Sequence, residues 1–267
     1  MDKVKLQQAK AWTEKELAVC ADFWLRNGMD KEHGGVYTCL DRYGRIYSTD
    51  KSVWMQGRCG WIFAYLCHVY GVKKEWLEAS KSCLDFMEKY CINPEADGRM
   101  YFTVTADGKP LRQRRYYYSE AFYAIANAEY YGVTGDKECL ERAKKAYNIY
   151  WDLWHGAKDP TGLGPKTIPE TRSGRAFGLP MIYLNVTSVM LRVDPENKAL
   201  YEERAQGCVD DIFKYHVHPE LHCVLENVGP NGEAHLDYTD GRIVNPGHDI
   251  EGVWFLLEYA KQFGKPE

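Results

Sequence analysis

The sequence predicts an all-helical protein of the α/α-toroid or α-hairpin solenoid type. Three observations carry that prediction. Helices with one apolar stripe alternate four times with helices that are apolar nearly all round. Glycines follow the apolar helices, at Gly71, Gly132 and Gly264. The long loops fall only between an outer helix and the next inner one. They therefore gather at one end, where the inner helices begin and where a site is expected.

The first outer helix is expected over 5–26, with Trp12, Leu17, Phe23 and Trp24 on its apolar side. Residues 34–47 read as a β-hairpin turning near Asp41 to Gly44. An inner helix follows over 53–70. The second unit repeats the order, with an outer helix over 75–90, a hairpin-like stretch over 98–109 and an inner helix over 118–131. The third has its outer helix at 137–154, a loop over 156–174 and an inner helix over 176–191. The fourth has an outer helix over 196–215, a loop over 216–245, and a last inner helix opening at Pro246-Gly247-His248.

Composition removes several function classes. The net charge of −4 offers no footprint for nucleic acid. No run of eighteen apolar residues exists, so no membrane span is expected. The start, Met1-Asp2-Lys3-Val4-Lys5, leads into an amphipathic helix rather than a signal peptide. Nine cysteines are scattered singly with no CxxC pair, which fits reduced thiols in a cytoplasm. The 20 Tyr and 8 Trp suit a large core or a sugar-stacking surface, with core the default.

Aligning the inner helices on their closing glycines brings Arg58, Glu120 and Glu251 to one depth. Charges at that depth are costly unless paired or used. They form either a buried ion-pair network that fixes the toroid or the lining of a central polar pocket. His248 and Glu251 lie three residues apart on one face of the last helix's first turn. A histidine there is either a capping and packing group or a functional one. The loop 156–166 is no phosphate loop, since it lacks the Gly-Lys-Ser/Thr ending. His216, His218, His222 and His235 match no zinc spacing and are expected to be solvated, so no metal is expected.

Five segments in order resemble the N-acylglucosamine 2-epimerase family, which includes the renin-binding proteins. They are Lys51-Ser52-Val53-Trp54-Met55-Gln56-Gly57-Arg58, Tyr118-Ser119-Glu120-Ala121-Phe122, Leu179-Pro180-Met181, Leu225-Glu226-Asn227-Val228 and Asn245-Pro246-Gly247-His248-Asp249-Ile250-Glu251. The resemblance implies an (α/α)6 barrel in one domain over 1–267, of which four of six helix pairs are present. It implies exchange of sugars at C2, such as N-acetylglucosamine with N-acetylmannosamine, through ring opening, an enediolate and proton return from the other face. By the same resemblance His248 is one acid/base group, and Arg58 stabilises the developing negative charge. Glu226 and Glu251 hold hydroxyls or orient His248, and Glu120 belongs to the pocket wall. Lys166 corresponds to a loop lysine near the pocket. Leu179-Pro180-Met181-Ile182 lacks the histidine carried by relatives that act on unmodified sugars, which leans toward the N-acyl branch.

The family's second histidine has no counterpart here. The chain stops at Gly264-Lys265-Pro266-Glu267, so a fragment of a longer protein is expected, with uncovered faces at 1–26 and 176–263. No cofactor is expected to be required, although nucleotide (ATP) activation occurs in some relatives, and the expected assembly is a homodimer. Two other readings stand beside the epimerase. A glycoside hydrolase or lyase would draw two carboxylates from Glu120, Glu226 and Glu251. A non-catalytic helical-repeat binding protein would turn over no sugar.

Overall fold

Eight α-helices alternate between outer and inner positions in the computed structural model, which describes residues 2–264. Met1 and the expected terminal residues Lys265, Pro266 and Glu267 lie outside the described residues. The outer helices are α1 (Lys3–Asn27), α3 (Lys74–Tyr90), α5 (Lys137–Trp154) and α7 (Lys198–Asp211). The inner ones are α2 (Val53–Tyr70), α4 (Tyr118–Thr134), α6 (Gly178–Val193) and α8 (Pro246–Phe263). Neighbouring inner helices pack together in the order α2, α4, α6, α8, while α3, α5 and α7 lie against them from outside. This is the toroid arrangement predicted from the alternating patterns.

Burial follows the same division. Every residue of α4 from Ser119 to Tyr130 is buried, because helices flank it on several sides. Its neighbour α2 approaches so closely that a Cβ on Gly57 would lie 2.6 Å from the Cβ of Phe122. Two outer helices, α1 and α5, begin with local caps: Asp2 accepts from the Val4 N–H at 3.0 Å, and Asp136 from the Glu138 N–H at 3.0 Å.

The loops at the mouth hold short strands. β1 (Cys39–Leu40) pairs with β2 (Ile46–Ser48), as the expected first hairpin requires. β3 (Lys51–Ser52) pairs with β4 (Thr103–Val104), which also pairs with β5 (Pro110–Arg112). The second hairpin is thus part of a sheet shared by two units, and it starts later than the expected residue 98. In the other half, β6 (Arg175–Ala176), β7 (Val217–His218), β8 (Cys223–Val224) and β9 (Asn227–Val228) form two pairs, β6 with β9 and β7 with β8.

Several boundaries differ from expectation, each for a physical reason. Gly132 does not end α4. The helix continues to Thr134 and is capped by left-handed Gly135, whose N–H reaches the Tyr131 carbonyl at 2.7 Å. Gly132 lacks a side chain because Val193 lies against it. Residues 175–176 are drawn into β6, so α6 starts at Gly178. The fourth outer helix is broken at both ends, by a 3-10 turn from Pro195 and by a π-turn over Ile212–His216. Trp12 points to solvent and is 66% exposed, whereas Leu17, Phe23 and Trp24 are half-buried.

The expected uncovered faces are α1 and α8 but not α6. Only Ala21 of α1 is buried, and on α8 Ile250, Val253, Trp254 and Leu257 are each more than half exposed. In α6 ten residues are buried.

The close approach at Gly57 makes a prediction. In an isolated helix Gly57→Ala would add about 1 kcal/mol of stability. Here the new methyl meets Phe122 backbone atoms at 2.7 Å. Overpacking of this kind costs about 1–3 kcal/mol, so a net loss of stability is expected in chemical denaturation. A gain would show that α2 and α4 can separate freely.

Candidate functional site

The mouth of the toroid is framed by two buried ionic clusters. Lys51 Nζ donates to Asp30 Oδ2 at 2.6 Å and to the carbonyls of Gly34 at 2.8 Å and Ala106 at 3.0 Å, so its three protons are all used. Burial opposes the Asp30 charge, but Lys51 and two backbone N–H groups outweigh it and hold the carboxyl below its ordinary range. In the second cluster Arg99 Nε donates to Glu120 Oε1 at 2.7 Å, and Arg99 also pairs with Asp159 of the 156–174 loop. Burial works against the Arg99 charge, and Glu120 with Asp159 more than restores it. Burial likewise pushes the Glu120 carboxyl up, against the pull of Arg99.

This corrects the expectation for Glu120. It is fully buried, accepts the Met100 N–H at 2.8 Å and supports the wall from behind. It is therefore no part of the pocket lining, nor is it an available carboxylate for hydrolysis. Arg58 departs from the buried-network reading in the opposite sense. It is exposed, and its guanidinium lies 4.4 Å from the centroid of the Phe122 ring.

Arg58 and Glu251 face one cleft of ≈460 Å³ between α1, α2, α4, α6 and α8. Its other walls include Phe122, Ile125, Asn185 and Trp254. One turn before Glu251, His248 Nδ1 lies 2.8 Å from Glu226 Oε2. The carboxylate accepts, so the ring nitrogen donates. Asn245 caps α8 by accepting the His248 N–H at 3.3 Å, which places the imidazole in the first helical turn. His248 is 39% exposed and Glu226 17%. Beside them, burial and the Glu226 charge push the Asp249 carboxyl up, with His248 opposing. Burial, then Glu226, also raises the Tyr118 hydroxyl.

Lys166 does not reach that cleft. It lies in a second one, of ≈590 Å³, with Arg115, Arg172, Arg175, Tyr116 and Tyr238. Its nearest acid is Asp240 at 3.9 Å.

The four loop histidines do not share one environment. His222 is exposed, and His235 stacks on Tyr238 with ring centroids 5.5 Å apart. His216 is fully buried and His218 nearly so, contrary to the expectation of solvated rings. Among the described residues no three His, Cys, Asp or Glu side chains could hold a metal ion together.

Asn185, Tyr118 and His216 were not singled out for the site by sequence. Asn185 had a readable signal, as an amide one turn after Ile182 on an apolar helix. Tyr118 stands in one of the resembling segments and His216 in the histidine cluster, but the place of each in the site depends on contacts with distant segments.

These features define a helical toroid whose mouth presents an imidazole–carboxylate pair beside a guanidinium-lined cleft. The chain belongs to the N-acylglucosamine 2-epimerase family, whose model matches residues 35–267. It is 34% identical over 265 residues to the N-acylglucosamine 2-epimerase of Rattus norvegicus, covering 98% of this chain and 62% of the rat protein. The chain thus spans less than two thirds of that relative's length. It is 26% identical over 272 residues to the cellobiose 2-epimerase of Eubacterium cellulosolvens, covering 94% of this chain and 65% of that protein. The solved cellobiose 2-epimerase from Bacillus thermoamylovorans B4167 superposes with a TM-score of 0.78 at 20% identity, over 92% of this chain and 64% of its own.

The burial of His216 generates a pH prediction. Burial drives its pKa down to about 4, below the 6.5 of a free imidazole. Between these values the unfolded state binds the extra proton and the folded state does not, so stability falls as pH drops from 6.5 to about 4. The slope is about 1.4 kcal/mol per pH unit, or roughly 3 kcal/mol over the window. His216→Asn should flatten that part of a denaturation-versus-pH curve. An unchanged slope would mean that the imidazole takes up its proton without unfolding.

Proposed function

We propose that this chain carries a proton-transfer site of a sugar 2-epimerase that interconverts N-acylglucosamine and N-acylmannosamine. The observation behind this reading is the His248–Glu226 pair at 2.8 Å, one helical turn from the cleft that Arg58 and Glu251 line. Ionised Glu226 accepts only, so it selects the tautomer with a proton on Nδ1 and leaves a lone pair on Nε2. That nitrogen removes the C2 proton of the ring-opened sugar. The C2–H electrons form the C1–C2 double bond, and the carbonyl pair moves onto oxygen, where Arg58 meets the developing charge. Glu251 holds a sugar hydroxyl. Return of a proton to the opposite face of C2 inverts it.

N-acetylmannosamine incubated with the protein in heavy water should gain deuterium at C2, read by NMR. His248→Asn should slow this by about 10²–10⁴-fold, the usual worth of a positioned general base. Unlabelled C2 with this sugar, and with mannose and cellobiose as well, would remove the epimerase reading.

The second cleft supports a nucleotide effector, because Arg115, Lys166, Arg172 and Arg175 present cations beside the Tyr116 and Tyr238 rings. Calorimetric titration with ATP should show binding there, weakened about tenfold or more by the double variant Lys166→Glu, Arg172→Glu. Equal heats from parent and double variant would place any nucleotide elsewhere. The nine free cysteines support a cytoplasmic setting. A homodimer reading draws support from the exposed apolar stripe Ile250, Val253, Trp254 and Leu257 on α8.

A further inference from the structure

His216 closes the π-turn after α7 and is fully buried, yet the chemistry above does not use it. Its backbone carbonyl accepts the Leu225 N–H at 2.9 Å. Its ring Nδ1 donates to the Leu225 carbonyl at 2.9 Å. Both backbone polar groups of Leu225 are thus held by one histidine. The next residue is Glu226. Its N–H reaches the Ile243 carbonyl at 2.9 Å, and its carbonyl accepts the Phe177 N–H at 2.8 Å.

The two residues alternate in direction. Leu225 is buried at 2% exposure, while Glu226 carries its carboxylate to His248. A slip of one residue along this extended segment would exchange those directions and take the carboxylate from the imidazole. The ring has a second contact. It lies against Phe177, centroids 5.6 Å apart, and the Phe177 ring edge occupies the space that a Cβ on Gly252 of α8 would need. His216 thus backs both partners, through Leu225 to Glu226 and through Phe177 to the helix that carries His248.

We propose that His216 is a positioning residue for the His248–Glu226 pair, its Nδ1–H acting as the clamp that fixes Leu225 and so aims Glu226. The proposal rests on the reading of His248 as a proton carrier, but its test does not need turnover. Burial keeps the ring neutral, with a pKa of about 4, and its Nε2 has no hydrogen-bond partner among the described residues. The Nδ1 side is therefore the one in use. Arg175 and His218 are the charged or titratable groups that act on the ring.

Two polar variants of similar size separate the possibilities. Asn at 216 places an amide donor where Nδ1 sits, whereas Gln places it farther out, near Nε2. The readout is the ¹⁵N spectrum of the His248 ring, whose Nδ1-protonated tautomer reports the Glu226 contact, together with deuterium wash-in at C2. His216→Asn should keep the parent tautomer and a wash-in rate within about threefold. His216→Gln should lose the Nδ1-protonated preference and at least tenfold in rate, mainly in kcat. A parent-like His248 spectrum in both variants would overturn the proposal. So would equal loss in both, or failure of both to fold, since His216 would then serve the core and not the pair. If wash-in is absent from the parent with N-acetylmannosamine, mannose and cellobiose alike while the two spectra differ as stated, the epimerase reading fails and the clamp stands.

Discussion

The site depends on how little freedom the backbone has at Leu225 and Glu226. Glu226 and His248 are 22 residues apart in sequence and belong to different kinds of structure, a short extended segment and a helix start. They meet at 2.8 Å because the extended segment is hydrogen-bonded on both sides, to His216 and to Ile243 and Phe177. A carboxylate on an untethered loop would spread its oxygens over several ångströms and would orient an imidazole poorly. Fixing it by backbone bonds settles the ordering cost when the protein folds rather than at the chemical step.

The same economy explains the two buried ionic clusters. Burying Lys51 with Asp30, or Arg99 with Glu120, adds little net stability, because desolvation offsets most of the attraction. Their value is geometric. Lys51 joins the loop around Gly34 to the turn around Ala106, and Arg99 joins α4 to the carbonyls of Arg114 and Tyr116 and to Asp159. Loops that would otherwise be independent become one rim. Arg58 and Lys166, by contrast, are exposed, each on the wall of a different cleft.

At the opposite end the inner helices are joined by another polar knot. Glu129 of α4 is buried and pairs with Arg192 of α6, and His68 Nδ1 of α2 lies 3.2 Å from Glu129 Oε1. Arg192, in the last turn of α6, is well placed against that helix's dipole. The ring is therefore bolted at both ends where α2, α4 and α6 stand side by side. It is open where α1 and α8 show apolar faces.

Much of this was legible in the sequence. Apolar content separated outer from inner helices, because a helix surrounded by others needs apolar residues all round whatever its neighbours are. The bounds of α2 and α5 follow from local signals such as the Gly71 stop and the Asp136 cap. The motifs around His248 and Glu226 were legible as a resemblance. What tertiary structure decided was the partner of each charge. Glu120, Arg58 and Glu251 share one depth in their helices, yet Glu120 turns outward to Arg99 while the other two face the cleft. A helix's period sets which residues share a face, but the rotation of that face is set by packing. Strand pairing between residues 175–176 and 227–228, and the clamp from His216 onto Leu225, join segments whose spacing carries no local signal. Only the folded chain could bring them together.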